Sequence, residues 1–395
     1  MSNEPPLISQ SSWLIAQSST MLIKPFKAQL PILSKIQDTD TFFEEAKEEY
    51  TKYLQRGCFT QTTEAAFFIY SIAPLNDLDN DSLGVVALTD SQEFFQNNIK
   101  KHENTLSKQE DIQKMLLAER RAAIKPILLT HKGGHEYQES LRNIRDKSEI
   151  IIQTDFQNLR HSLYSVTDLP AKASLNNYFQ KKVKIAYIAD GHHRANSTTE
   201  FLKEHGILDK GVLTAYFDFS QLHIGAFHRV ASDLDGKALA EFLKELQLVL
   251  TLKKIPLTRL PHRKGEIVMV LNNVTYSLHW RREILEQREV GQVILDTHLL
   301  SDLILKPILG IKNLKKDTRL KYIEGNKSLD DIVKQCPKNG VLFLLHPISF
   351  RDFKTVIDSG GILPPKSTFF EPRLINGFIN YELRITNYGK NNHKL

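Results

Sequence analysis

The chain is 395 residues long, 41% hydrophobic and 25% charged, with a net charge of +6 and a sequence pI near 9.0. That length predicts two or three domains, and apolar runs no longer than a strand exclude a membrane span, which needs roughly 20 residues. Two cysteines, Cys58 and Cys336, exclude a disulfide framework and a thiolate zinc site and fit a reducing compartment.

In chain order, the opening Met1-Ser2-Asn3-Glu4-Pro5-Pro6 has no basic region followed by an apolar stretch, so no secretory leader is expected and a cytoplasmic setting is. Ile23-Lys24 predicts a short strand stopped at Pro25. Thr41 is expected to cap a helix over 42–56, with Glu44 as its capping-box partner and Gly57 as its stop. The runs 65–70 and 84–88 predict the two strands of a hairpin, joined through the Asp- and Asn-rich turn 75–83. A short helix is expected over 90–101. Lys100-Lys101 there is the nearest approach to a basic block, yet Glu103 follows at once. The other cations are scattered among 46 acidic residues, so a nucleic-acid partner is not indicated.

Ser107 predicts the cap of a long helix to about Ala123, which Pro126 prevents from continuing, and 126–130 predicts a strand. The stretch 131–180 reads as a polar excursion with one helical piece near 137–145 and an apolar run at 150–152. The strand 183–189 then leads into Asp190-Gly191-His192-His193-Arg194, and a helix over 194–205 ends at Gly206. Beyond it, a strand over 212–219 is followed by helices over 236–246, 299–305 and 350–357 and strands over 267–271, 274–279 and 341–345.

Chemistry concentrates in residues 190–194. A strand that turns tightly into a helix is a natural anion site, because the first helical N–H groups lack intrahelical partners and the dipole places partial positive charge there. Gly191 permits the turn and close approach of a ligand. His192, His193 and Arg194 supply donors for phosphate oxygens, Arg194 two at once. Asn196 and Ser197 add short polar groups in the first turn and a half. Asp190, at the carboxyl end of its strand, is placed to hold a hydroxyl or a magnesium ion. Two other readings use the same residues. The histidines could pack or cap while Arg194 pairs with a surface carboxylate, or they could bind zinc, although adjacent histidines diverge where an i, i+4 pair would converge.

These residues, with Ile23-Lys24-Pro25-Phe26, Lys100-Lys101-His102-Glu103-Asn104-Thr105 with Lys108, Leu295-Asp296, Ile308-Leu309-Gly310-Ile311 and Pro364-Pro365-Lys366-Ser367-Thr368-Phe369-Phe370-Glu371-Pro372, resemble the family known as domain of unknown function 1015 over nearly the whole chain. One family feature, a Pro-Pro-Tyr-Asp-Val segment after the opening, has no counterpart here. Lys366-Ser367-Thr368 reads first as a structural turn. More distantly, the order His102-Glu103, helix, Lys125-Pro126-Ile127, strand, Asp190-Gly191-His192-His193-Arg194, helix is similar to the ParB/sulfiredoxin-like superfamily, in particular its free-serine kinase branch.

That resemblance implies an α+β fold, with an N-terminal segment (1–85), a ParB/sulfiredoxin-like nucleotide-binding core (86–217) and a C-terminal α/β domain (218–395). It implies nucleotide-dependent phosphoryl transfer to a small hydroxylated metabolite, with free serine as one candidate and ATP, ADP or CTP as the nucleotide. Glu103 becomes the catalytic carboxylate, with His102 and Asp190 beside it, and Gly191, His192, His193 and Arg194 become the phosphate clamp. The alternatives are a nucleotide-gated binding module like the CTP switch of partition proteins, and a metal-dependent hydrolase.

Overall fold

The computed structural model describes residues 20–103, 107–256, 259–287 and 293–383. The calls on the opening residues and on Asn104 and Thr105 lie outside them. The apolar runs become strands of two sheets, and the fold class is α+β.

The first sheet has nine strands: β1 (Ile23–Lys24), β2 (Phe67–Pro74), β3 (Ser82–Thr89), β4 (Ile99–Lys100), β5 (Ile127–His131), β6 (Glu149–Phe156), β7 (Leu159–Val166), β8 (Ala186–Asp190) and β9 (Val212–Asp218). Their order is β4-β8-β5-β9-β3-β2-β7-β6, with β1 on β3. It is a mixed sheet, since β8 runs parallel to β4 but antiparallel to β5. Nearly every residue of β2 and β3 is buried, as expected for strands covered on both faces. One face packs Phe42 and Phe43 of helix α1 (Thr39–Gln55) with Phe353, Phe370 and Phe378 from the C-terminal part of the chain. The other carries helices α2 (Ser107–Arg120), α3 (His135–Asp146), α4 (Leu169–Lys182) and α5 (His192–Glu204), through Leu117, Leu141, Phe179 and Phe201.

The second sheet holds β10 (His223–Ala231), β11 (Leu250–Ile255), β12 (Glu266–Leu271), β13 (Val274–Trp280), β14 (Leu320–Glu324), β15 (Val341–Leu345) and β16 (Thr368–Glu371). It is antiparallel throughout, in the order β11-β13-β12-β15-β10-β14, with β16 on the first half of β10. Helix α6 (Leu239–Val249) and the segment 296–305 pack on it through Phe242, Leu246, Leu300 and Ile304. Helix α7 (Phe350–Asp358) turns back to the first sheet. Residues 381–382 go further and pair with 122–123.

Several elements depart from the sequence expectations. The division expected at 85/86 falls inside β3, which pairs with β2 on one side and β9 on the other. The cap of α1 is Asp38, whose carboxylate accepts the N–H groups of Asp40 and Thr41, so Thr41 lies inside the helix. The helix expected over 90–101 stops after 92–95, because Ile99 and Lys100 are drawn into the sheet beside Ala186 and Tyr187. The long helix ends at Arg120, where Ala122 and Ala123 pair with residues far along the chain. The polar excursion 131–180 holds α3, the hairpin β6–β7 and α4. Polar side chains lie on both faces of its strands, with the adjacent His161 and Ser162 both buried, which obscures the period-2 signal.

The fold also buries histidines in neutral form. His228 accepts the Leu345 N–H at Nδ1, and His161 Nδ1 lies 3.0 Å from the Tyr70 hydroxyl. Burial draws His102, His131, His161 and His228 down to about 4 from an ordinary 6.5. The unfolded chain therefore takes up these protons first, so the stability they represent is complete above about pH 6.5 and is lost as pH falls toward 4. At pH 5 each ring should cost about 1–2 kcal/mol. Urea unfolding at pH 7.5 and 5.0 is expected to show a loss of several kcal/mol. Equal stability at both values would contradict this account.

Candidate active site at the start of helix α5

Strand β8 delivers Asp190 to its carboxyl end, and Gly191 then turns the chain with φ +100°. A side chain would be strained in that conformation, and a Cβ there would lie 2.7 Å from Arg194 Nη2. Helix α5 begins at once, two residues before the sequence expectation, with the Ala195 N–H bonding to the Gly191 carbonyl. The N–H groups of its first turn are left without partners inside the helix.

Arg194 lies one turn on and bonds back to Asp190 at 2.8 Å. Lys125, next to the start of β5, places its Nζ 3.8 Å from the same carboxylate oxygen. Burial would raise the Asp190 carboxyl, but Arg194 and Lys125 overcome it and hold the group far below the usual range. Burial beside Arg194 pulls Lys125 down to about 8, although Asp190 opposes the shift. A further positive ion at Asp190 would meet both cations, so the donor set fits an incoming anion better than a magnesium ion.

Behind the turn, His192 and His102 meet edge to face with ring centroids 4.2 Å apart. The His102 N–H points at His192 Nε2, at 3.4 Å, which leaves the ring proton to Nδ1. His102 Nε2 lies 3.3 Å from the Thr368 hydroxyl, and its carbonyl accepts the Leu363 N–H. Burial, and then the neighbouring His102, keep His192 neutral at physiological pH. It can therefore offer a hydrogen bond but not a charge.

The turn opens into a cleft of about 640 Å³, within the range of small-molecule sites. Among the described residues six cations line it (Lys47, Arg120, Lys125, Arg194, Lys315 and Lys366) against two carboxylates, Glu103 and Asp190. Among the described residues buried Arg120 Nη2, Arg194 Nε and His193 Nδ1 have no hydrogen-bond partner, and unsatisfied polar atoms around one cavity point to a ligand.

Residues 18–299 match the family described as "Protein of unknown function (DUF1015)". The chain belongs to that family. Among solved structures, this DUF1015 member is similar to a C-terminally truncated SbnI from Staphylococcus aureus, at 13% identity over 74% of this chain and 85% of that one, with a TM-score of 0.39. It is also similar to a free serine kinase variant in complex with ADP, at 14% identity over 80% and 92%, TM-score 0.37. A third is a conserved hypothetical protein from Pyrococcus furiosus, at 12% identity over 80% and 95%, TM-score 0.35. A search of the curated proteins finds no match.

In the DUF1015 chain the expected residues separate into three groups. Glu103, Asp190, Gly191, His192, His193 and Arg194 come together on the cleft. His102 is buried behind His192 and does not line it. Asn196 and Ser197 turn away to helix α2. The Asn196 amide donates to Glu110 Oε1 at 2.7 Å and its oxygen accepts from Lys101, while the Ser197 hydroxyl bonds the Glu110 and His193 carbonyls. Those two side chains fasten helices rather than face a phosphate. Among the described residues no group of three or more His, Cys, Asp or Glu is placed to hold a metal, and His192 packs its ring edge to face against His102. Sequence reasoning gave no role to Lys125, Arg120, Lys315 or Tyr322, and set the phosphate-friendly side chain of Lys366 second to a structural turn. Lys125 carried a signal in its place before Pro126. Lys366, at φ +54° after two prolines, faces the cleft from the loop read as a structural turn.

A cleft lysine drawn down to about 8 should be unusually reactive. At pH 8, limited acylation followed by peptide mapping is expected to modify Lys125 ahead of the exposed lysines, and inorganic pyrophosphate should protect it. Modification no faster than the exposed lysines would count against the proposed environment of Lys125.

Proposed function

We propose that this protein transfers a phosphoryl group from a nucleotide to a hydroxylated small metabolite, with free serine the first acceptor to test. The observation that carries the reading is the meeting of Glu103 with the 190–194 turn on one cationic cleft, although Glu103 and Asp190 are 87 positions apart in the sequence. Among the described residues Glu103 makes no ion pair, in contrast to Asp190.

The division of labour follows from charge. Phosphates enter where the helix N–H groups, Lys125 and Arg194 converge, and Arg194 exchanges part of its bond to Asp190 for phosphate oxygens. Neutral His192 donates from Nδ1. Glu103 accepts the proton of the attacking hydroxyl as its oxygen bonds to phosphorus, and the bond from phosphorus to the leaving phosphate oxygen breaks. The cations stabilise the charge that gathers on the leaving group. ATP, ADP and CTP all present the chain of phosphates this turn would hold, and any magnesium would arrive on those phosphates. His102 acts through His192 as a positioning residue. The unpaired thiols Cys58 and Cys336 suit a cytoplasmic setting.

Replacement of the carboxylate separates catalysis from binding. Glu103→Gln is expected to keep nucleotide affinity within about threefold while turnover with serine falls about 10²–10⁴-fold, the usual range for a lost general base. Calorimetry with ADP and a coupled assay for phosphorylated product read the two quantities. Unchanged turnover would remove Glu103 from the chemistry, and nucleotide binding without turnover in the parent protein would favour a nucleotide-gated binding module.

A further inference from the structure

One wall of the cleft comes from the second sheet and its adjoining loop, through Tyr322, Pro365 and Lys366, and a buried cation lies behind it. Arg229, on the central strand β10, is 1% exposed. Among the described residues it has no carboxylate partner. It donates from Nη1 to the Phe227 carbonyl at 2.8 Å and from Nη2 to the Pro365 carbonyl at 3.4 Å, and its guanidinium lies 4.6 Å from the Tyr322 ring centroid. Burial of an arginine without an acid is costly, and here it draws the guanidinium down to about 10.

Each neighbour of Arg229 leads to the cleft. Tyr322 lines it, with its hydroxyl donating to the Leu314 carbonyl at 2.7 Å. Pro365 and Lys366 line it from the adjoining loop, and Lys366 Nζ lies 5.4 Å from the Phe227 ring centroid. Burial and, against the pull of Arg229, Glu103 raise the Tyr322 hydroxyl, which places this wall within electrostatic reach of the proposed catalytic carboxylate. The phosphate turn has its own cations in Lys125 and Arg194. The second positive field comes from different elements, with Lys366 on the loop that lines the cleft and Arg229 bonded to the neighbouring Pro365 carbonyl.

We infer that this wall, with Lys366 and Tyr322 in front of Arg229, binds an anionic group on the acceptor and so restricts the proposed transfer to hydroxylated metabolites that carry a carboxylate or a phosphate monoester. The inference rests on the phosphoryl-transfer reading only for the word acceptor; the anion site can be tested without it. A neutral polyol would leave the buried Arg229 without its balancing charge, and an anion held by the wall would point its hydroxyl at Glu103.

The test uses the full chain, as the parent protein and as the Lys366→Met and Tyr322→Leu variants. Calorimetry in saturating ADP measures serine, serinamide, glycerol 3-phosphate and glycerol. Either serine or glycerol 3-phosphate should bind at least tenfold more tightly than its neutral counterpart, and the favoured one identifies carboxylate or phosphate as the group recognised. Lys366→Met should weaken that acceptor tenfold or more while ADP affinity changes less than threefold, with Tyr322→Leu as the second, less polar disruption. Equal binding of charged and neutral members, or parallel loss of ADP and acceptor in Lys366→Met, would overturn the inference and leave the phosphoryl-transfer reading standing. If ADP does not bind the parent at all, that reading falls, and sulfate titration decides the wall alone. Sulfate binding lost in Lys366→Met supports it, and sulfate binding unaffected by the change refutes it.

Discussion

At Gly191 the backbone leaves the sheet in a left-handed conformation and enters a helix without an intervening loop. The rest of the cleft depends on that turn. It directs the N–H groups of the first helical turn outward, sends His192 back against His102, and brings Arg194 around to Asp190. Lys125 completes the arrangement from just before the neighbouring strand β5. The result is a carboxylate neutralised by two cations that are themselves open to exchange for an incoming anion. Such a site is assembled before its ligand arrives, which limits the reorganisation required on binding.

The second constraint is polarity placed out of reach of water. His102 and His192 contact one another in the interior, with the Thr368 hydroxyl beside them, so the position of the turn is referred to a residue of the second sheet's last strand. This gives a physical reason for the long separation between the motifs. Residues near 102, 190 and 366 are remote in sequence but share one buried polar cluster, and each restrains the others. Arg229 extends the same theme in the second sheet, where carbonyl oxygens and an aromatic face substitute for an acid.

The sequence made the centre of the site legible because glycine, two histidines and an arginine directly after an apolar strand have few purely structural uses. It also made most of the strongly apolar strands legible, including 67–74, 82–89 and 341–345. The parts it concealed are those set by distant pairing. Ile99 and Lys100 look like the end of a helix until Ala186 and Tyr187 offer a parallel partner, and Ala122-Ala123 looks helical until residues 381–382 lie beside it. Asn196 and Ser197 were misplaced because a polar residue early in a helix looks the same whether it faces a ligand or a neighbouring helix. Tyr322 and Arg229 gave no local signal at all, since their importance depends on which wall the second sheet turns toward the first.

The return of the chain to its own beginning has a consequence for how the protein is made. Gln29 and Asn380 exchange two backbone hydrogen bonds, and the Asn380 amide adds a third to the Gln29 carbonyl. Phe378 packs against Phe43 and Tyr70. The aromatic face that α1 covers is thus completed by residues translated some 350 positions later. Domains usually form as the ribosome releases them. Here an emerging chain must keep that face exposed until the 351 positions between Gln29 and Asn380 have been spanned, and this makes the interval a long exposure to misassociation.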